Sequence, residues 1–147
     1  MLRVIISGKG GQGIKFISTI FAKSSIENGK FVTLTASYGP EARGGSSQCS
    51  MVIDNKPITN PIIKNADYLL AFTQDAVNMW KAENVIYHDN INNMEMLGIF
   101  IKTIGEDIEP IIDTMKQEIS SKYTDRIQVN IDNLMKGFNS IKYIPKL

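Results

Sequence analysis

The sequence predicts an α/β domain with a mostly parallel sheet and helices on both faces, and three observations lead to that class. Segments of strand length stand at Leu2–Ser7, Phe31–Tyr38 and Tyr68–Phe72, the first and last of the buried type. Between the first two, Ile14, Ile17, Ile20 and Phe21 recur at helical spacing from Gly11 to about Asn28, before Gly29 closes the segment. Strand, helical crossover and strand form a βαβ unit, whose strands run parallel. The third observation is the junction itself, where Val4-Ile5-Ile6-Ser7 passes into Gly8-Lys9-Gly10-Gly11-Gln12-Gly13 and then Ile14.

The remaining elements follow in order. Gly39 to Ser47 is a polar loop, Gln48–Ile53 a strand, and Asp54-Asn55-Lys56-Pro57 a turn. After Pro61 and the strand at Tyr68–Phe72, Gln74–Glu83 is expected to be a short helix and Val85–His88 a short strand. Asp89–Asn93 reads as an Asn-rich turn. Met94–Ile104 is apolar nearly all round, so it belongs inside a layer or an interface. Ile108, Ile111, Ile112, Met115 and Ile119 mark a one-sided helix with Pro110 in its first turn, and Ile131–Phe138 is a last, shorter helix. There is no internal repeat.

Composition bounds the function. The chain has 147 residues, 43% of them hydrophobic, enough for one domain spanning 1–147 with a core that needs no disulfide or metal. A formal charge of +1 without a Lys/Arg block leaves no footprint for nucleic acid. No apolar run approaches 18 residues and no leader pattern is present, so the reading is a cytoplasmic protein with no membrane contact. One cysteine, Cys49, excludes a disulfide framework, a CxxC zinc site and an iron–sulfur cluster held by this chain alone.

The junction after the first strand is the main candidate site. Gly8, Gly10 and Gly13 have the GxGxxG spacing, which lets backbone approach a phosphate while the first N–H groups of the following helix point at it. A dinucleotide site would also need an acidic residue at the end of the second strand, where this chain has Leu34-Thr35-Ala36-Ser37-Tyr38. Lys9 does not stand where a Walker A lysine stands. NAD binding and ATP hydrolysis are both disfavoured. The second glycine-rich loop places Glu41 and Arg43 between Gly39-Pro40 and Gly44-Gly45, at the carboxyl end of a strand where α/β sheets bind ligands. Arg43, with its planar fork, suits a phosphate or carboxylate on a ligand or partner.

Other residues read as structural. His88 is the only histidine and has no second ligand beside it; Cys49 behaves as a small buried hydrophobe; Met94 and Met96 fill a core; Trp80 decides nothing by itself. No acid, base and nucleophile assemble, so no catalytic residue and no metal ligand is assigned. A chain with a phosphate-type loop and no catalytic group is more plausibly part of an enzyme than a whole one.

In the order of these motifs, the chain resembles the gamma subunit of the 2-oxoacid:ferredoxin oxidoreductases, most closely the 2-oxoglutarate type. Gly8-Lys9-Gly10-Gly11-Gln12-Gly13 is similar to that family's G-x-G-G-Q-G, and Tyr38-Gly39-Pro40-Glu41-Ala42-Arg43-Gly44-Gly45 to its Y-G-P-E-x-R-G-G. Lys56-Pro57-Ile58, Pro61-Ile62, Ala66–Phe72 with Gln74, and Asn93-Met94-Glu95-Met96-Leu97-Gly98 resemble later blocks; Asn130 to Gly137 resembles the closing helix. The connection from Tyr87 to Asn93 is shorter than in that family, so a partner contact made there is not implied for this chain.

The resemblance implies a Rossmann-like subunit of a complex that oxidatively decarboxylates a 2-oxoacid to an acyl-CoA and passes electrons to ferredoxin. Thiamine diphosphate and iron–sulfur clusters would lie on alpha, beta or delta partners. For this subunit it suggests assembly and coenzyme A contact, through Gly8, Gly10, Gly11, Gln12, Gly13, Glu41, Arg43, Gly44 and Gly45. Pyruvate, 2-oxoisovalerate and indolepyruvate are the substrate alternatives to 2-oxoglutarate. A free-standing nucleotide or CoA module is the alternative of another class.

Overall fold

The computed structural model describes residues 1–38, 45–119 and 123–140. Its elements are β1 (Leu2–Lys9), α1 (Ile14–Glu27), β2 (Phe31–Tyr38), β3 (Ser46–Asp54), β4 (Ala66–Ala71), α2 (Gln74–Met79), β5 (Ala82–Tyr87), α3 (Asn93–Ile104), α4 (Glu109–Glu118) and α5 (Thr124–Phe138).

The α/β class holds, with a mixed sheet of order β2-β3-β1-β4-β5. β1 pairs parallel with β4, and β4 with β5. β3 pairs antiparallel with β1 on one side and β2 on the other. β1 and β2 therefore run in one sense, as the βαβ reading requires, but they are not neighbours. Four of the five strands thus run in one sense, as the mostly parallel sheet expected from the sequence requires, and β3 alone is reversed, which makes its two pairings antiparallel. The cause is local: β3 returns directly from β2, pairs with it from Phe31↔Asp54 to Tyr38↔Ser47, and fills the gap that the α1 crossover leaves beside β1.

Side-chain alternation along the strands divides the core. Val4, Ile6, Cys49, Met51 and Leu70 face α1, α3, α4 and α5, where Ile17, Ile20, Phe21, Phe100, Met115 and Leu134 complete the larger cluster. Phe100 meets Phe21 edge-on at a centroid separation of 5.2 Å, and Tyr68 at 5.6 Å. On the other face, Ile5, Leu69 and Ala71 pack against Ala76 of α2, with Ile63, Val77 and Trp80 around them. Helices cover both faces, unequally.

Helix ends follow the sequence. Gly29, at φ 83°, closes α1, with Lys30 N–H donating to the Ser25 carbonyl; Gly105, at φ 74°, closes α3 in the same way, with Glu106 N–H on Ile101. Two helices differ from expectation. The helix expected over Gln74–Glu83 stops at Met79, because Trp80 is already extended and Ala82 pairs with Ala66. The last helix begins at Thr124 instead of Ile131, and its added turns bring Ile127 onto the core.

α3 is buried within this chain. Met94, Met96, Leu97, Phe100 and Ile101 are all inaccessible, and α5 lies against the helix so closely that side chains are excluded from the crossing. A Cβ on Gly98 would fall on the Leu134 carbonyl, and one on Gly137 would fall on the Glu95 carbonyl.

Candidate functional site

The candidate site lies at the carboxyl ends of β1, β4 and β5. The chain ends are laced there by backbone bonds: Phe72 N–H donates to Ser7, His88 N–H to Ala71 and Asn90 N–H to Phe72. β1 gives way to the turn Gly10–Gly13, and α1 begins at Ile14. Gly13 is its N-cap, in the left-handed region at φ 75°, and no side chain caps the helix. Among the described residues, no side chain takes the N–H groups of its first turn.

Each member of the Gly8–Gly13 motif has a distinct position. Gly8 has no room for a side chain, since a Cβ would stand 2.8 Å from Phe72 Cβ and 2.9 Å from Ile14 Cδ1. Gly10 donates its N–H to the Gly45 carbonyl at 2.8 Å, which ties the first glycine loop to the end of the second. Gln12 turns inward on the loop: its Oε1 accepts from Lys9 N–H at 2.6 Å and its Nε2 donates to Asn90 Oδ1 at 3.3 Å. Gly13 accepts from Asn93 Nδ2 at 3.3 Å, and a Cβ there would run into that amide. Gly11, at φ 87°, is the open position, with nothing within 4 Å of where its Cβ would be.

These residues form one wall of a cleft of about 360 Å³, lined by Gly11, Gln12, Gly13, Asn90, Ile91, Asn92 and Asn93. The opposite wall belongs to the β5–α3 turn, where Asn90 has φ 55°, a conformation that asparagine tolerates better than most residues. Asn92 caps α3 by accepting from Met94 N–H at 2.9 Å and Glu95 N–H at 3.2 Å. The two helix starts at this cleft therefore differ: α3 is satisfied by its own side chain and α1 is not. No lining residue carries a negative charge, and Lys9 and Lys15 are exposed on the flanking sequence. Neutral amide side chains and backbone line this cleft, an environment that does not repel an anion.

Asn93 also lines a second cleft of about 420 Å³, with Phe16, Glu118, Ile119, Tyr123, Arg126 and Asn130. The Arg126 guanidinium lies over the Tyr123 ring, 4.6 Å from its centroid. Asn90, Asn92, Asn93, Tyr123 and Arg126 were not marked as site residues by the sequence reading. The Asn-rich turn offered a signal, since such a turn directly after a parallel strand stands where α/β sheets bind ligands.

Gly8, Gly10, Gly11, Gln12 and Gly13 lie on the strand end and turn before α1, with Gly45 joined to them through the Gly10 N–H. Glu41, Arg43 and Gly44 lie outside the described residues. Cys49 is 1% exposed within the larger core. His88 directly follows β5, its Nδ1 lying 3.3 Å from the Asp89 carbonyl, and Trp80 packs on the smaller core. Among the described residues there is no group of three His, Cys, Asp or Glu able to hold a metal, and no helix long and apolar enough to cross a membrane.

The family model described as pyruvate ferredoxin/flavodoxin oxidoreductase matches residues 3–87. The 2-oxoglutarate synthase subunit KorC of Archaeoglobus fulgidus is 33% identical over 97 residues, which are 63% of this chain and 52% of that protein. The ketoisovalerate oxidoreductase subunit VorA of Methanothermobacter marburgensis is 35% identical over 77 residues, 52% of this chain and 16% of that one. The chain thus spans about half or less of the length of these relatives. Among solved structures, the keto/oxoacid ferredoxin oxidoreductase gamma subunit of Geobacter sulfurreducens superimposes with a TM-score of 0.76 at 20% identity, covering 99% of this chain and 98% of that one. The 2-oxoglutarate:ferredoxin oxidoreductase of Magnetococcus marinus, with 2-oxoglutarate, coenzyme A and succinyl-CoA bound, superimposes at 0.80 with 15% identity, covering 93% of this chain and 30% of that one. At these identities the structural likeness is one of fold. With 3–87 matched by the family model, the chain belongs to the pyruvate ferredoxin/flavodoxin oxidoreductase family.

Proposed function

We propose that this chain is the one-domain gamma subunit of a cytoplasmic 2-oxoacid:ferredoxin oxidoreductase, and that its glycine-loop cleft takes the pyrophosphate of coenzyme A. The observation that carries the second half is the pairing of an uncapped α1 with the open left-handed turn at Gly11, in a cleft without acidic lining. In this reading the N–H groups of α1 hold the pyrophosphate against the positive end of the helix dipole, and the Asn-lined wall orients it with neutral donors. Arg43 supplies a charge-assisted contact from the second loop. Coenzyme A would supply the thiol that accepts the acyl group. Thiamine diphosphate and iron–sulfur clusters belong to alpha, beta or delta partners, and ferredoxin is reached through them.

The preferred 2-oxoacid is 2-oxoglutarate, supported by the loop Tyr38–Gly45 and by a relative that is a 2-oxoglutarate synthase subunit. The ketoisovalerate relative keeps a branched-chain acid as the competing substrate. Purification of the native protein with its partners, followed by steady-state kinetics on the reconstituted complex, tests the proposal. Arg43→Ala removes charge-assisted bonds worth about 1.5–3 kcal/mol, so the KM for CoA should rise roughly ten- to a hundredfold. The KM for the 2-oxoacid should stay put. An unmoved CoA constant in a normally assembled complex overturns the CoA role, and a native protein without oxidoreductase partners overturns the subunit assignment.

A further inference from the structure

α5 carries two stripes at helical spacing. Ile127, Ile131, Leu134, Met135 and Phe138 pack on the core, whereas Tyr123, Arg126 and Asn130, also three and four residues apart, line the second cleft. Core packing does not account for this second stripe. Arg126 is exposed, and among the described residues its guanidinium is held by the Tyr123 ring and by no carboxylate. A guanidinium lying over a ring keeps its in-plane N–H groups available as donors. Phe16, in the first turn of α1 and half-buried against the core, lines the same cleft. Glu118 lines it too, but its Oε1 accepts from Lys23 Nζ at 2.6 Å, so its charge is opposed there. At about 420 Å³ the cleft is within the range of small-molecule sites, and it joins two rings to a few polar groups, as such sites do.

We propose that this second cleft takes the adenosine 3′-phosphate end of the same coenzyme A whose pyrophosphate the glycine-loop cleft takes, an inference that rests on the CoA reading of the first cleft. Phe16, Tyr123 and Arg126 offer ring faces and a guanidinium plane on which a base stacks. The Arg126 fork suits the 3′-phosphate, and the Asn130 amide suits the base edge. The two clefts adjoin, because Asn93 lines both. Phe16 also stands three residues into α1 from Gly13, about 4.5 Å of helix rise, so a phosphate held at the start of α1 has its neighbouring group beside Phe16. The direction of the ligand follows from its chemistry. In the CoA reading the acyl group forms on a partner subunit, so the thiol arm leaves this chain and the nucleotide end stays on it.

Steady-state kinetics of the reconstituted complex with CoA and with dephospho-CoA, which lacks the 3′-phosphate, test this. The wild-type complex should show the higher KM for dephospho-CoA. Arg126→Ala should raise the KM for CoA roughly tenfold, move that for dephospho-CoA far less, and leave kcat unchanged. Tyr123→Leu should raise both constants, by about fivefold or more. A CoA analogue bearing photoreactive 8-azidoadenine should label the wild-type complex on peptides of this chain that contain Phe16 or Tyr123, a measurement that decides the matter if a variant fails to assemble. A wild type that does not distinguish the two thiols, an Arg126→Ala complex with both constants unmoved, or a label confined to a partner subunit overturns the proposal. An equal rise for both thiols in Arg126→Ala, which would place the pantetheine arm in the cleft, overturns it as well. If Arg43→Ala still raises the CoA constant in that case, the pyrophosphate reading stands without the second cleft; if neither arginine matters, the CoA reading has failed with it.

Discussion

Gly11 and Gly13 both lie in the left-handed region, at φ 87° and 75°, yet alanine should affect them differently. At Gly11 a methyl group meets nothing within 4 Å, so the cost is the backbone strain alone, about 1–2 kcal/mol. Gly13→Ala carries the same strain and also drives a methyl group into the Asn93 amide, with Cγ only 2.9 Å away. Asn93 must swing off the Gly13 carbonyl, which forfeits a further ~1 kcal/mol of hydrogen bond. Urea unfolding should therefore rank the variants wild type, Gly11→Ala, Gly13→Ala, with the last step about 1 kcal/mol. In the double variant Gly13→Ala/Asn93→Ala the clash has gone, so the summed single effects should exceed the measured one by roughly 1 kcal/mol. Ligand binding should reverse the ranking of interest: Gly11→Ala, the milder change for folding, puts its methyl group in the cleft and should raise the CoA constant of the complex. Equal destabilisation by the two alanines, or strict additivity in the double variant, would refute the division of roles between these glycines.

Two further outcomes follow from the same geometry. Gln12→Glu keeps an acceptor for Lys9 N–H but faces Asn90 Oδ1 with a second oxygen and adds a negative charge to the loop; hydrogen exchange at Asn90 should quicken and the CoA constant rise, while Gln12→Ala should cost about 1–2 kcal/mol in unfolding as the loop loses both bonds. Gly98→Ala and Gly137→Ala each force a methyl group onto a backbone carbonyl at the α3–α5 crossing, an overpacking cost of up to about 3 kcal/mol that is offset by ~1 kcal/mol of helix propensity; melting should fall by about 4–8 °C for ~2 kcal/mol, and a rise would mean that the helices separate freely.

What the sequence revealed depended on whether a signal was local. β2 and α1 were legible because an eight-residue segment rich in β-branched and aromatic residues and a helix stripe ending in glycine each carry their own evidence. The position of β3 was not, because which strand fills the gap left by a crossover is a property of three segments at once. α5 was read too short although Ile127, Ile131, Leu134, Met135 and Phe138 all pack on the core at helical spacing; the polar residues of its first turns masked a stripe that was present. In the site, the glycine loop could be recognised from one segment. Its Asn wall comes from the β5–α3 turn, and only the parallel placement of β1, β4 and β5 sets it opposite Gly11.

That dependence changes how the glycine motif should be understood. A loop rich in glycine suggests backbone left free to wrap a phosphate, but here most of its groups already have partners: Gly8 is closed in by Phe72 and Ile14, Gly10 is bonded to Gly45, Gln12 joins Lys9 to Asn90, and Gly13 is held by Asn93. Gly11 opens onto unfilled space. The glycines thus serve first to bring β1, α1, α3 and the second loop close enough to lock together, and the lock fixes the direction in which the uncapped start of α1 points. In the proposed CoA role, an anion arriving at this site would find its donors already oriented, so little conformational entropy would be lost on binding. On the proposed CoA reading, Gly11 is the position where a side chain would meet the ligand, and Gln12 and Asn93 act on affinity indirectly, by holding the turn through the loop and the turn beside it.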